Sequence, residues 1–105
     1  MKIMNLTPHD VVIVGEDGSV VKTFPSTGLA RLSSATEKVG EVDGVPITKT
    51  VFGAPEGLPD PVDGVLLIVS QTLKSAFPDR HDLVVPSELV RDSEGRVIGC
   101  RSLGI

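Results

Sequence analysis

The chain has 105 residues, a length that supports a single domain, 1–105, around one modest core. Its formal net charge is −4, it has no Trp or Tyr and only three Phe, and such a chain lacks the basic face that general nucleic-acid binding needs. Cys100 is alone, which excludes an intrachain disulfide and fits a reducing cytosol; no apolar run approaches the roughly 18 residues of a membrane span, and the N-terminus does not read as a signal peptide.

With so few aromatics the core must be Val, Ile and Leu, and β-branched residues favour strands. Eleven glycines and eight prolines supply turns and leave little room for long helices. Ile3 to Leu6 reads as a strand and Val11 to Val14 as a second. Between them Thr7-Pro8-His9-Asp10 makes a tight polar turn. Gly15-Glu16-Asp17-Gly18 is a hairpin signal, because glycine and aspartate tolerate positive φ. Ser19 to Phe24 is the return strand, closed by Pro25-Ser26-Thr27-Gly28. Leu29 to Leu32 is a fourth strand, and Ser33 to Val39 fits either a helical turn or an extended linker.

Asp43-Gly44, between Glu41-Val42 and Val45 to Phe52, is the sharpest hairpin signal in the chain. In the return arm Val45, Ile47, Lys49 and Val51 point one way and Pro46, Thr48, Thr50 and Phe52 the other. Residues 53–64 hold three prolines and three glycines; they read as the longest loop and a candidate lid. Val65 to Val69 is continuously apolar and belongs in the middle of a sheet, covered on both faces. Ser70 caps a short helix ending before Pro78, with Leu73, Ala76 and Phe77 toward the core. Leu83 to Val85 is a short strand, Ser87 to Asp92 irregular or a helical turn, and Arg96 to Leu103 the last strand. The sum is a mainly β fold: a small antiparallel barrel or sandwich of seven or eight short strands with one short helix at about 70–77. The Val65 to Val85 unit, strand–helix–strand, allows one parallel pair.

Two polar clusters hold the only histidines: Thr7, His9 and Asp10 in the first turn, and Asp79-Arg80-His81-Asp82 after the helix. If the clusters meet, His9, His81 and a carboxylate make a metal site; if not, both histidines are turn residues in solvent. Neither cluster has a strong ligand spacing such as HExxH. Arg80 is either an ion-pair partner of Asp79 or Asp82, or an anion clamp assisted by the amides at Ser70. The expected ligand contacts are Thr7, His9, Ser70, Arg80 and Asp82, with no catalytic residue, metal or cofactor assigned. Cys100 reads as a buried, inert thiol.

Asn5-Leu6-Thr7-Pro8-His9, Pro25-Ser26, Gly44-Val45-Pro46, Gly57-Leu58-Pro59, Ile68-Val69-Ser70, Arg80-His81-Asp82-Leu83 and Arg91 to Cys100 run through nearly the whole chain. In these segments it resembles a family of small uncharacterised bacteriophage and bacterial proteins with an Asn-Leu-Thr-Pro-His motif near the start. Where those chains read Ser-Gly-Thr, this one has Ser26-Thr27-Gly28. The resemblance implies a phage or prophage accessory protein working in the cytoplasm of a bacterial host, and no particular activity. The favoured expectation is a non-catalytic binding protein for a small anionic, nucleotide-like molecule or a host protein. The alternatives are a virion-associated structural or assembly protein, and a small metal-dependent hydrolase using His9 and His81. Exposed sheet edges leave homo-oligomerisation open.

Overall fold

A computed structural model describes residues 1–105. In chain order the elements are β1 (Lys2–Asn5), β2 (Val11–Val14), β3 (Val20–Phe24), β4 (Arg31–Val42), β5 (Val45–Glu56), β6 (Val65–Ile68), α1 (Gln71–Ala76), β7 (Leu83–Arg91) and β8 (Val97–Gly104). The mainly β expectation with one short helix holds. Turn chemistry sets several of the joints. Asp43 and Gly44 both take positive φ, 53° and 77°, the backbone that lets a two-residue turn follow the strand twist. Between β2 and β3, Asp17 Oδ1 accepts from the amide and hydroxyl of Ser19. Between β7 and β8, Asp92 Oδ1 accepts from the amides of Glu94 and Arg96.

Six strands form one sheet in the order β1-β6-β7-β8-β2-β3, and β4 and β5 pair only with each other. The sheet is mixed rather than mostly antiparallel: β1–β6, β6–β7 and β2–β8 are parallel. The strand–helix–strand unit is the source of the β6–β7 pair, with α1 as the connection that parallel neighbours require. If flat, six strands would set β1 about 24 Å from β3. Instead Asn5 bridges Ser26, just past β3, and the Thr27 amide donates to the Asn5 carbonyl at 2.9 Å. The sheet therefore coils until its edges touch. They meet at one bridge without a continuous ladder, so no barrel closes.

Coiling divides the core in two. One cluster, Leu6, Ala30, Leu67, Val69, Leu73 and Leu83, lies under α1, with Leu32, Leu58 and Phe77 packed at its margin. The other, Val11, Ile68, Val84 and Cys100, is joined by Ile3, Ile13 and Phe24. Leu67 and Ile68 enter different clusters, as alternation along a strand demands, so β6 is covered on both faces as its unbroken apolar run implies. Ala76 departs from expectation: it is exposed, and Leu73 is the buried residue of the helix.

The largest differences from the sequence reading lie outside this body. Ser33 to Val39 is neither helical turn nor linker but the middle of β4, and β5 runs on to Glu56, into the segment read as loop. These twelve-residue strands form an arm in which every residue from 33 to 56 is exposed. The loop shrinks to 57–64 and is held down: Leu58 packs on the core, the Pro59 carbonyl accepts from Arg80, and the Gly64 carbonyl accepts from the Lys2 amide. A lid needs freedom to swing, and this segment has three anchors. Likewise Ser87 to Asp92 is largely strand, since β7 continues to Arg91 against β8.

Candidate functional site

The first polar turn is built on Asn5, which is 1% exposed. Its amide nitrogen donates to the carbonyls of His9 and Phe24, both at 2.8 Å. Its Oδ1 accepts from the Thr7 amide at 3.0 Å and lies 2.6 Å from Thr7 Oγ1. The Thr7 hydroxyl is also 3.0 Å from the His9 carbonyl oxygen. Ser26 Oγ donates to the Thr7 carbonyl at 2.6 Å, and Thr27 Oγ1 donates to the Asn5 carbonyl at 3.1 Å. One buried amide thus ties the β1–β2 turn to the end of β3, and no buried side-chain polar atom is left without a partner. Thr7, expected as a ligand contact, is buried and committed to this network. Asn5 is the residue the expectation missed; its position at the end of an apolar strand, two before a Thr, was the available signal.

What the network presents to solvent is His9 and Asp10. They stand at one end of a groove of about 450 Å³ whose other walls come from β2, β7 and β8. His9 Nδ1 lies 3.1 Å from the Asp10 carbonyl oxygen. Leu89, Val97 and Ile98 also line the groove, each about half exposed. Glu88, beside Leu89 in β7, has φ 53°, a left-handed conformation rare for a residue with a Cβ, and its carboxylate accepts a hydrogen bond from Ser102 Oγ at 3.2 Å. Such strain persists only where the surroundings hold it, and here it borders the groove. Cys100 lines the inner wall; burial pushes its thiol pKa up, so the sulfur stays protonated and is a poor nucleophile.

The second cluster lies elsewhere. Arg80 grips Asp82 with two hydrogen bonds, Nε to Oδ1 at 2.8 Å and Nη2 to Oδ2 at 2.7 Å, and Nη2 also donates to the Pro59 carbonyl at 3.0 Å. The Arg80 guanidinium holds the Asp82 carboxyl below its ordinary pKa, and Asp82 in turn raises that of Arg80. This is the ion-pair alternative, in bidentate form. His81 is exposed beside it, in a shallow depression shared with Met1, Asp63 and Asp79. Ser70 is a helix cap, its Oγ accepting from the Leu73 amide at 3.2 Å.

The five expected contacts therefore do not form one site. Arg80 and Asp82 lie by the Met1 end of β1, while Thr7 and His9 follow its other end, about 10 Å along the strand. His9 and His81 line different depressions. No group of three or more His, Cys, Asp or Glu side chains is placed to hold a metal ion. The chain matches no family model, no curated protein and no solved structure. No lysine or arginine lines the groove, which is apolar except at the His9–Asp10 end. Val97 and Ile98 escaped the sequence reading because apolar residues in a strand read as core, and Leu89 because its segment read as irregular or a helical turn rather than as β7.

Proposed function

We propose that this chain is a non-catalytic binding protein, of the accessory kind that bacteriophages and prophages encode, and that it takes a host protein rather than a small anion. The observation that carries this is the character of its surface. The hydroxyls and the cation that an anion would need are committed internally: Thr7 to Asn5, Ser70 to α1, Arg80 to Asp82 and Pro59. The groove instead offers half-exposed Leu89, Val97 and Ile98 beside one carboxylate, Asp10. That surface suits an extended protein segment with an apolar side chain on the floor and a basic residue at Asp10. The resemblance to phage and bacterial proteins supports the biological setting.

Native mass spectrometry of protein purified from a bacterial host tests the ligand class. The expected mass is polypeptide alone, as monomer or integer multiple; a retained anionic metabolite would overturn the proposal. A photo-crosslinker at position 97 tests the surface, with one discrete host polypeptide captured and the capture lost in Leu89→Asp. A second reading, a virion assembly protein, has the exposed arm in its favour and requires the chain to be present in purified particles.

A further inference from the structure

We infer that the β4–β5 arm is a homodimerisation element: its apolar stripe packs face to face on the same stripe of a second copy, about a two-fold axis running along the arm. The inference goes beyond the groove reading and does not depend on it, since the arm contributes no residue to the groove.

The register of the arm defines the stripe. Val42 pairs with Val45, Gly40 with Ile47, Glu37 with Lys49 and Ala35 with Val51, so these residues share one face. The opposite face carries Ser34, Thr36, Lys38 and Glu41 across from Phe52, Thr50, Thr48 and Pro46. Val39 is the extra residue at the register shift between Lys38 and Gly40. Val39, Val42, Val45, Ile47 and Val51 are 43–61% exposed. The arm is thus amphipathic with nothing beneath its apolar face. A two-stranded ribbon alone is marginal in water, and a face-to-face partner supplies the missing layer.

Area permits a second copy and charge selects one. The chain exposes 7072 Å², whereas a compact monomer of its mass exposes roughly 5,600 Å². The excess, roughly 1,400 Å², is spread over both faces of the arm, so one face offers roughly half of it, close to the roughly 800 Å² that each partner buries in a standard interface. The one charged pair in the stripe is Glu37 with Lys49, directly across the ribbon and 4.0 Å apart. A two-fold along the arm sets β4 over the partner's β5. Glu37 then faces the partner's Lys49, and Lys49 the partner's Glu37, while the Val42–Val45 tips coincide. The interface is isologous and meets itself without a like-charge clash.

Sedimentation velocity on the full chain over about 1–200 μM reads this directly. The expected result is a species of twice 11.0 kDa; a monomer throughout would overturn the inference. Ile47→Glu with Val45→Glu should give the monomer with an unchanged circular dichroism spectrum, and a dimer that survives them would place the contact elsewhere. The decisive arm uses charge. Glu37→Lys and Lys49→Glu should each weaken the dimer about tenfold or more, and mixing the two chains should restore a heterodimer, since each then meets opposite charges. Mixing cannot repair a contact confined to one chain, so no gain on mixing would overturn the arm-to-arm pairing. Ile98→Asp, which alters only the groove, should leave the dimer intact and keeps the two proposals separable.

Discussion

Single side chains hold the joints of this molecule. Removing the Asn5 amide takes a hydrogen-bond partner from the Thr7, His9 and Phe24 backbone together, leaving the His9 carbonyl only the Thr7 hydroxyl. Asn5→Ala is therefore expected to cost about 3 kcal/mol, read as a fall in Tm of about 4–8 °C for each kcal/mol. Asn5→Asp keeps the acceptor but loses both donated bonds, so it should also destabilise; a Tm within about 2 °C of wild type would show that the network is dispensable. Arg80→Ala strands a largely buried carboxylate and frees the Pro59 carbonyl, at a cost of about 1–3 kcal/mol. The sign of its pH dependence follows from Asp82, whose folded-state pKa lies below its ordinary value of 3.8. The pair's stabilisation is complete above that value and is lost as pH falls through the folded one. In urea unfolding the gap between wild type and Arg80→Ala should be full at neutral pH and shrink below pH 3.8. A gap that stays constant into acid would mean Arg80 acts through packing alone.

At the scale of elements, local rules read well where turns and caps decide the outcome. Asp43-Gly44, Ser70 as the helix cap and the unbroken run at β6 are all visible in the residues, because each depends on neighbours a few positions away. Gly57 is a harder case. Its φ is 75°, and a Cβ there would run into the Leu29 carbonyl oxygen. Gly57→Ala combines strain with a backbone clash, so it should cost about 2 kcal/mol or more in chemical denaturation, far beyond a surface substitution; a change under about 0.5 kcal/mol would refute that. Nothing in Pro55-Glu56-Gly57 reveals that β5 lasts to Glu56, because the ladder with Arg31 and Leu32 that carries it there is non-local. The same holds for β7, which β8 keeps extended past Ser87.

Across the whole molecule, the body and the arm differ in what holds them. The radius of gyration is 16.8 Å, against about 13 Å for a compact domain of this length. The core takes only Ala30 and Leu32 from the base of the arm. Replacing 34–53 by a short Gly-Ser turn should therefore leave a cooperatively folded body with Tm within about 5 °C of the full chain. Loss of cooperative unfolding would show that the arm supports the core. Leu73→Ala, at the centre of the helix-side cluster, should instead cost about 2–5 kcal/mol whether or not the arm is present.

The sequence by itself determined the strand-rich composition, the hairpin at Asp43-Gly44, the capped helix and the two polar clusters, since these rest on side-chain chemistry and neighbours in the chain. Only the tertiary structure decided that Thr7 is tied to Asn5 rather than free to bind, that Arg80 is spent on Asp82 and Pro59, that the two histidines stand apart, and that twelve-residue strands leave the body as an arm. The Asp82 partner of Arg80 lies two residues away and was legible as an ion pair, but the Pro59 carbonyl on Arg80, the Phe24 carbonyl on Asn5 and the β4–β5 ladder all come from residues far along the chain. No local pattern of residues encodes those distant pairings.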